Sequence, residues 1–527
     1  MFYDTIIIGA GPAGIQLGYF LKRDKRNFII IEQNECAGSF FTKFPHTGKL
    51  ISINKRFTGY SDPDFNLRHD WNSLLSEDGP LFTSYSKEYY PNRCDLSRYL
   101  HDFSTFYSLP IQYKCKIIKI ETCNNNNERF TITVQNDVLT YTCQNLVMAT
   151  GLSPKIPKSI IESCPNVKHY SQYPKDYFTL ESTLSSFTNK SLAIIGDGNS
   201  AFEIGNHLLP YCSSIVIFGK IHDVTPNKNN HAWSLSTNYS GDVRALYLGF
   251  FDTFILKSLN AIAHLPNNTS DYKIIYNENK YYININYSDE LSCYDHLILA
   301  TGWEFDDSVF DFKIDKSGNL PKITPEYEST SHQGLYFIGS LSHSLDYKKS
   351  SGGFIHGFRY LIRYFYQLHY MESFAINYCP FDYKEIAIQL FNHSNQSSAI
   401  YQMHGVLCTF FYKEGNKMKF IKEVSINLYQ SVHYKNPITP HENENVFMFT
   451  LEYGEDKNII INRIGLKEST FGYEHKSKLL HPVLRVFKCH VLQKEYHFDE
   501  DLLTNFSDYS TYHQRLITIL EEIYNDL

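Results

Sequence analysis

The stretch "YDTIIIGAGPAGIQLGYFL", residues 3–21, decides the fold. Residues 5–8 form a continuous β-branched, mostly apolar run, as a strand covered on both faces requires. Gly9-Ala10-Gly11-Pro12-Ala13-Gly14 follows. Gly9 permits the tight turn, Gly11 lets the backbone approach a pyrophosphate, and Gly14 lets the next helix pack against the strand. That helix, opening at Pro12 and Ala13, turns unpaired N–H groups and the positive end of its dipole toward the phosphates. The next strand, "NFIIIEQ" (27–33), ends in Glu32 and Gln33. A carboxylate at Glu32 can accept both hydroxyls of an adenosine ribose. The glycines alone also suit a structural turn. Strand, helix, second strand and terminal acid together read as a dinucleotide pocket.

The same design recurs at "LAIIGDGNSAFEIGNHL", residues 192–208. A strand (192–195) leads into Gly196-Asp197-Gly198-Asn199-Ser200-Ala201, with the small Ala201 in the place of the third glycine. A helix is expected over 199–211 and a strand over 214–219. No acid ends that strand; Lys220 stands there instead. An acid would repel a 2′-phosphate and a cation would attract one. The pattern predicts NADPH over NADH, with Lys220 as the leading contact and His222 as a helper. The competing reading of Lys220 is a solvated surface lysine. Two pockets imply a resident and an exchanging nucleotide, and hydride transfer from NADPH to bound FAD explains the division.

The chain has 527 residues, enough for two or three domains. With 43% apolar and 20% charged residues it is globular in type. A net charge of −7 argues against general nucleic-acid binding. Eleven cysteines are scattered singly, with no C-x-x-C. That removes zinc ribbons and the redox-active dithiol of disulfide reductases, and the unpaired odd number suits a reducing compartment. The histidines form no spaced cluster, so no metal is expected. No charged n-region or cleavage site precedes the first strand. The most apolar long stretch, residues 245–265, is broken by Asp252 and Lys257 and reads as a buried helix rather than a membrane span. The expectation is a soluble, cytoplasmic protein without a membrane or nucleic-acid partner, with homo-oligomerisation left open.

Two near copies punctuate the chain: "NLVMATG" (145–151) and "HLILATG" (296–302). Each is a buried strand ending in Ala-Thr-Gly: Ala149-Thr150-Gly151 and Ala300-Thr301-Gly302. The glycines release the chain to cross between domains. This organisation places an FAD domain on residues 1–152 and 326–374, an NADPH domain on 153–325 and a C-terminal α+β domain on 375–527. The chain returns to the first domain near "GLYFIGS" (334–340), which contributes Gly339 and Ser340. In the segment 348–368, Ser351, Gly352 and Gly353 read as a helix start whose dipole faces a flavin pyrimidine edge, with Gly353 and Phe354 as cofactor contacts. Lys348, Lys349 and Arg359 flank it, or simply solvate a helix end. In the tail, residues 398–414, 418–430, 445–454 and 482–498 read as strands with partial alternation, closed by a helix over 511–525. That domain would cap the site, mediate a dimer or bind a partner. The expected fold class is α/β: a flavoprotein with two Rossmann-like dinucleotide-binding domains and a C-terminal α+β domain.

The two glycine motifs and the Ala-Thr-Gly crossovers together resemble class B flavin-dependent monooxygenases. "SCPNVKHYSQY" (163–173) keeps His169 and Tyr173 of their interdomain signature, with Ser163 and Pro165 in place of its Phe and first Gly. "FNLRHDWNSLL" (65–75), "KEYYP" (87–91), "GDVRALY" (241–247), "DTFILKSL" (252–259) and "SLSHSLDYKKSSGGFIHGFRY" (340–360) resemble the FAD-dependent oxidoreductase domain-containing family over most of residues 1–370. "HPVLRVF" (481–487) extends the likeness into the tail. Many two-dinucleotide flavoproteins carry Gly-Asp at the return strand, where this chain has Gly339-Ser340.

The resemblance implies further site residues. Gly38-Ser39-Phe40 is similar to a Gly-Gly-x-Trp turn that contacts FAD. "LISINKRFTGYSD" (50–62) resembles the segment that sets an Asn near the reactive flavin edge, giving Asn54 with Arg56. In "HDWNSL", Trp71 would cover the isoalloxazine and Asn72 would hydrogen-bond a flavin–oxygen adduct; a core Trp and a satisfied buried amide are the alternatives. The implied reaction is reduction of FAD by NADPH, addition of O2 at the flavin C4a carbon in a dry site, and oxygen transfer to a small-molecule amine or sulfur. N-hydroxylation of a small amine or amino acid is the leading expectation, with Lys348, Lys349 and Arg359 suited to a substrate carboxylate. An NADPH oxidase or reductase serving another acceptor, and a flavin-stabilised partner-binding protein, are the other readings.

Overall fold

The computed structural model describes residues 1–125, 128–135, 140–164, 166–196, 198–220, 262–267, 273–284, 291–347, 349–431, 436–441, 444–453 and 479–525. The run of β-branched residues in Phe2–Ile8 forms a strand whose last four residues are buried. It lies between two parallel neighbours, Phe28–Ile31 and Thr140–Met148, with Ile8 opposite both Ile31 and Met148. Ile111–Gln112 extends the sheet beyond Phe28–Ile31. On its other edge the long strand Thr140–Met148 serves two further partners. Its first half pairs antiparallel with Glu128–Val134, and its end pairs parallel with the returning strand Leu335–Phe337. The helix Pro12–Arg23 rises from the first glycine turn, with Pro12 at its first position where no N–H bond is lost.

The second domain repeats this plan. Ser191–Ile195 sits centrally in a parallel sheet, between Ser214–Lys220 and His296–Leu299, with Ile262–Asn267 and Lys168–His169 outside them. The helix Asn199–Leu208 ends earlier than the expected residue 211. Residues 262–267 form a strand, so the end of the stretch 245–265 is extended rather than helical. The remainder of that stretch, with residues 241–247, lies outside the described residues. Two short strands, Ser153–Pro154 and Trp303–Glu304, pair antiparallel where the chain crosses between the domains. Gly151 and Gly302, at φ +70° and +91°, make the exits. The fold is α/β with two dinucleotide-binding domains, as the glycine motifs predict.

The tail folds into a six-stranded antiparallel sheet, in the order Asn377–Pro380, Lys417–Ser425, Leu407–Glu414, Asn445–Glu452, His481–Lys488, Val491–His497. Residues 398–402, read as the start of a strand, form a short helix because the Ser397 hydroxyl caps the N–H of Ile400. Residues 482–498 split into two strands at Cys489 and His490, both with positive φ. One sheet face, including Phe411, Phe420 and Phe447, packs on the helices Tyr383–Gln396 and Gln514–Asn525. The other, including Phe410, Ile421 and Met448, belongs to the same apolar core as the first domain and its helix Ile355–Tyr370. Among the described residues no helix is long and apolar enough to cross a membrane.

Candidate active site

The two glycine turns adopt the same geometry. Gly9 and Gly196 have φ of +103° and +113°, and a Cβ there would lie 2.7 Å from Ala149 O and 2.1 Å from Ala300 O. Only glycine fits these crowded, left-handed positions. A Cβ on Gly14 would lie 2.0 Å from Gly9 O, which is the helix–strand contact the motif demands. Gly11 and Gly198 instead precede their helices in extended conformation, and a Cβ on either would meet nothing within 4 Å. The space in front of each helix start is therefore open, as an approaching pyrophosphate requires.

Both turns open into one cavity of about 1550 Å³. That exceeds the roughly 300–1,000 Å³ typical of a pocket for one small ligand. Of the expected site residues, Gly9, Gly11, Pro12, Ala13, Glu32, Gln33, Ser39, Phe40, Trp71, Ala149, Thr150, Gly151, Gly198, Asn199, Ser200, Ala300, Gly302, Ser340, Gly353 and Phe354 line it. Gly14, Gly38, Gly196, Ala201, Thr301 and Gly339 do not. Gly38 and Gly339 are close-packing positions, where a Cβ would lie 2.7 Å from Leu100 and 2.6 Å from Ala13. Ala201 is fully buried, and Thr301 Oγ1 donates to Lys155 O (2.6 Å) to tie the crossover. Lys220 ends its strand, and Asp197, His222 and Lys348 lie outside the described residues.

Glu32 is buried just past the strand Phe28–Ile31. Its carboxylate accepts from the N–H of Ala10 (2.8 Å), and from the backbone N–H (2.9 Å) and side chain (2.8 Å) of Asn34. It thus braces the first turn while facing the cavity. The residues present fit FAD at the first turn and a nicotinamide nucleotide at the second: two open cradles, one buried acid and two helix starts on one cleft.

The catalytic candidates separate. Trp71 lines the cavity, donates to Arg68 O (3.0 Å) and stacks on the ring of His356 at 4.2 Å. Asn72 is fully buried and already spent: its amide oxygen accepts from Ser52 Oγ (2.5 Å) and its amide nitrogen donates to Ile53 O (3.1 Å). Asn54 donates to Ser86 O (2.9 Å) and Glu88 O (3.1 Å) behind the wall, while its buried amide oxygen has no partner among the described residues. Arg56 is exposed beside Phe57. The structure does not bring Asn54, Arg56 or Asn72 to the cavity. Arg359 is no solvated flank. It is fully buried and donates to Asp70 O (3.0 Å), Ser73 O (2.6 Å) and Leu67 O (2.7 Å), clamping the segment that carries Trp71. Lys349 alone of the basic cluster is seen to line the cavity. The helix begins at Ile355 rather than Ser351, because Asp346 captures the N–H of Gly352 (2.9 Å) and holds that turn out of the helix.

Three contributors escape a reading of motifs. Glu203, on the helix behind the second turn, lines the cavity and bonds Thr47 of the first domain, with Tyr170 OH at 3.4 Å. Burial pushes its carboxyl up to about 7. His356 lines the cavity at 6% exposure. Burial, reinforced by Arg359, holds its imidazole well below the usual histidine range. The third is the tail: Tyr401, Gln402, His404, Gly405, Glu452, Tyr453 and Leu480 form one wall. All eleven cysteines are free, and Cys115 is the cysteine on the described lining.

Residues 6–339 match the family described as pyridine nucleotide-disulphide oxidoreductase. The chain is similar to FAD-dependent oxidoreductase domain-containing protein 2 of Mus musculus, at 31% identity over 92% of this chain and 76% of that one. It is similar to the Danio rerio protein of the same name at 30% identity, over 98% of this chain and 83% of that one. A solved flavin-containing monooxygenase from Stenotrophomonas maltophilia matches with a TM-score of 0.45 and 17% identity, covering 64% of this chain and 90% of that one.

Proposed function

The chain belongs to the pyridine nucleotide-disulphide oxidoreductase family, and from that premise we propose that it is an FAD- and NADPH-dependent monooxygenase that N-hydroxylates a small amine or amino acid. The observation that carries this reading is the combination of two open glycine turns on one cavity with eleven free cysteines, of which Cys115 is the one on the described lining. Electrons delivered by a nicotinamide nucleotide to a flavin there meet no pair of thiols, which favours O2 and a small molecule as acceptors. FAD, when bound, supplies hydride acceptance and reactivity toward O2.

The chain's own residues bind, orient and dry. Gly11 and the helix start at Pro12 hold one pyrophosphate, and Gly198 with the helix start at Asn199 holds the other. Glu32 orients the adenosine ribose. Lys220 supports the preference for the 2′-phosphate of NADPH. Trp71, stacked on His356 and fastened through its indole N–H, presents a rigid apolar face that excludes water from the reacting centre.

The test is a balance of NADPH consumed, peroxide released and hydroxylamine formed across a panel of amines and amino acids. The expected result is one amine class for which peroxide falls as hydroxylamine rises in equal amount. Peroxide accounting for all NADPH, whatever the amine, overturns oxygen transfer. Lys220→Glu is expected to lower the NADPH-over-NADH preference about tenfold or more; an unchanged ratio removes Lys220 from the nucleotide site.

A further inference from the structure

The part of the cavity wall formed by Trp71, His356, Tyr401, Gln402, His404 and Tyr453 belongs to neither glycine turn. It joins the first domain to the C-terminal sheet and is rich in flat rings. Its polar centre is His356. The ring stacks on Trp71 at 4.2 Å and runs parallel to Phe354 at 5.7 Å. Stacking on Trp71 uses a ring face and leaves the nitrogens for hydrogen bonding. No described residue supplies a hydrogen-bond partner for either nitrogen, although the side chain is more than nine-tenths buried and lines the cavity. Those nitrogens open onto the cavity, where a ligand that donates a hydrogen bond can take the place of water.

We propose that this wall is a substrate chamber for a neutral aromatic amine, in which His356 accepts a hydrogen bond from the amine N–H. Two further observations select that class. The rings of Trp71, Tyr401 and Tyr453 suit a planar body. The fully buried Arg359 guanidinium, which acts electrostatically on His356, disfavours an ammonium group beside it. An amine that donates its N–H to His356 keeps its nitrogen lone pair free. His356 is therefore a positioning residue that presents a nucleophilic nitrogen without itself carrying charge. The fate of the bound amine rests on the monooxygenase reading; its binding does not.

The oxidised holoenzyme is titrated at neutral pH with aniline, N,N-dimethylaniline and benzylamine, and dissociation constants are read from flavin absorbance. Aniline is neutral and has N–H donors, dimethylaniline is neutral without one, and benzylamine is an ammonium. Aniline is expected to bind about tenfold more tightly than dimethylaniline, the worth of one well-placed hydrogen bond, and benzylamine to bind most weakly. His356→Phe keeps an aromatic ring beside Trp71 and Phe354 and is expected to bring the aniline and dimethylaniline constants within about twofold of each other. His356→Gln, which restores an acceptor, is expected to recover part of the preference. FAD content per chain checks that each variant folds. Should His356→Phe lose FAD, the wild-type order and the glutamine variant decide. An undiminished aniline preference without an acceptor at residue 356, benzylamine binding as tightly as aniline, or no response to any probe overturns the chamber. Absence of hydroxylamine from every amine overturns the oxygen-transfer reading and leaves these binding constants standing.

Discussion

Glycines with opposite roles sit a few residues apart in the first turn. Gly14→Ala forces a Cβ to 2.0 Å from Gly9 O, and overpacking of backbone against backbone is expected to cost about 3 kcal/mol or more. Gly11→Ala meets nothing within 4 Å, so the protein is expected to fold normally and to bind FAD roughly tenfold more weakly. Denaturant unfolding and FAD titration of the two variants separate these effects. Glu203 gives a pH signature. Its carboxyl titrates near 7 in the folded chain against an unfolded value of 4.5. The folded state therefore holds the extra proton, and stability is lost as pH rises from about 4.5 to about 7, then levels. Glu203→Gln keeps the contact to Thr47 without that proton. It is expected to gain on the wild type by up to about 3 kcal/mol between pH 5 and 8 in urea unfolding. A difference that does not grow with pH removes Glu203 from this role.

At the scale of elements, the two dinucleotide domains are held by more than their crossover strands. Arg93, nearly buried on the helix Arg93–Phe106, donates to the carbonyls of Lys43 and Pro45 and reaches across to Asp176. Beside it, Lys43 Nζ donates to Ser171 O (2.6 Å) and the N–H of His46 donates to Tyr170 OH (2.8 Å). Arg93→Ala is expected to cost about 2 kcal/mol, discounted from a fully buried pair because Asp176 is half exposed. It is also expected to increase proteolytic nicking near residues 152–155. Both glycine turns and both crossovers were legible in the sequence because their backbone angles and close contacts are local demands that few residues meet. Asn54 and Asn72 were not, because the groups that occupy them, on Ser86, Glu88 and Ser52, lie about twenty to thirty-five residues away in sequence. Arg359 read either as a cation for a flavin edge or substrate carboxylate or as a solvated helix end, because nothing local announces the three carbonyls it clamps. The tail strands alternate only partly because both faces of their sheet are covered; Leu407–Glu414 is buried at its first six positions.

For the whole molecule, the C-terminal sheet is wall and core at once. Truncation after residue 374 would uncover the face of helix Ile355–Tyr370 that packs on that sheet, and would remove Tyr401, Gln402 and Tyr453 from the cavity. The shortened chain is expected to aggregate, measured by light scattering and FAD retention, rather than survive as a free two-domain flavoprotein. A soluble, FAD-loaded 1–374 chain would show that the shared core is dispensable.

The same shared core sets a timetable for synthesis. A chain leaving the ribosome has both glycine turns in place long before residues 407–448, which complete the first domain's interior, have been made. Until then the nascent protein carries an apolar helix face with nothing to cover it. It must wait, guarded or at risk, for its last third, so the segment that shapes one cavity wall also decides when the molecule first becomes safe from its neighbours.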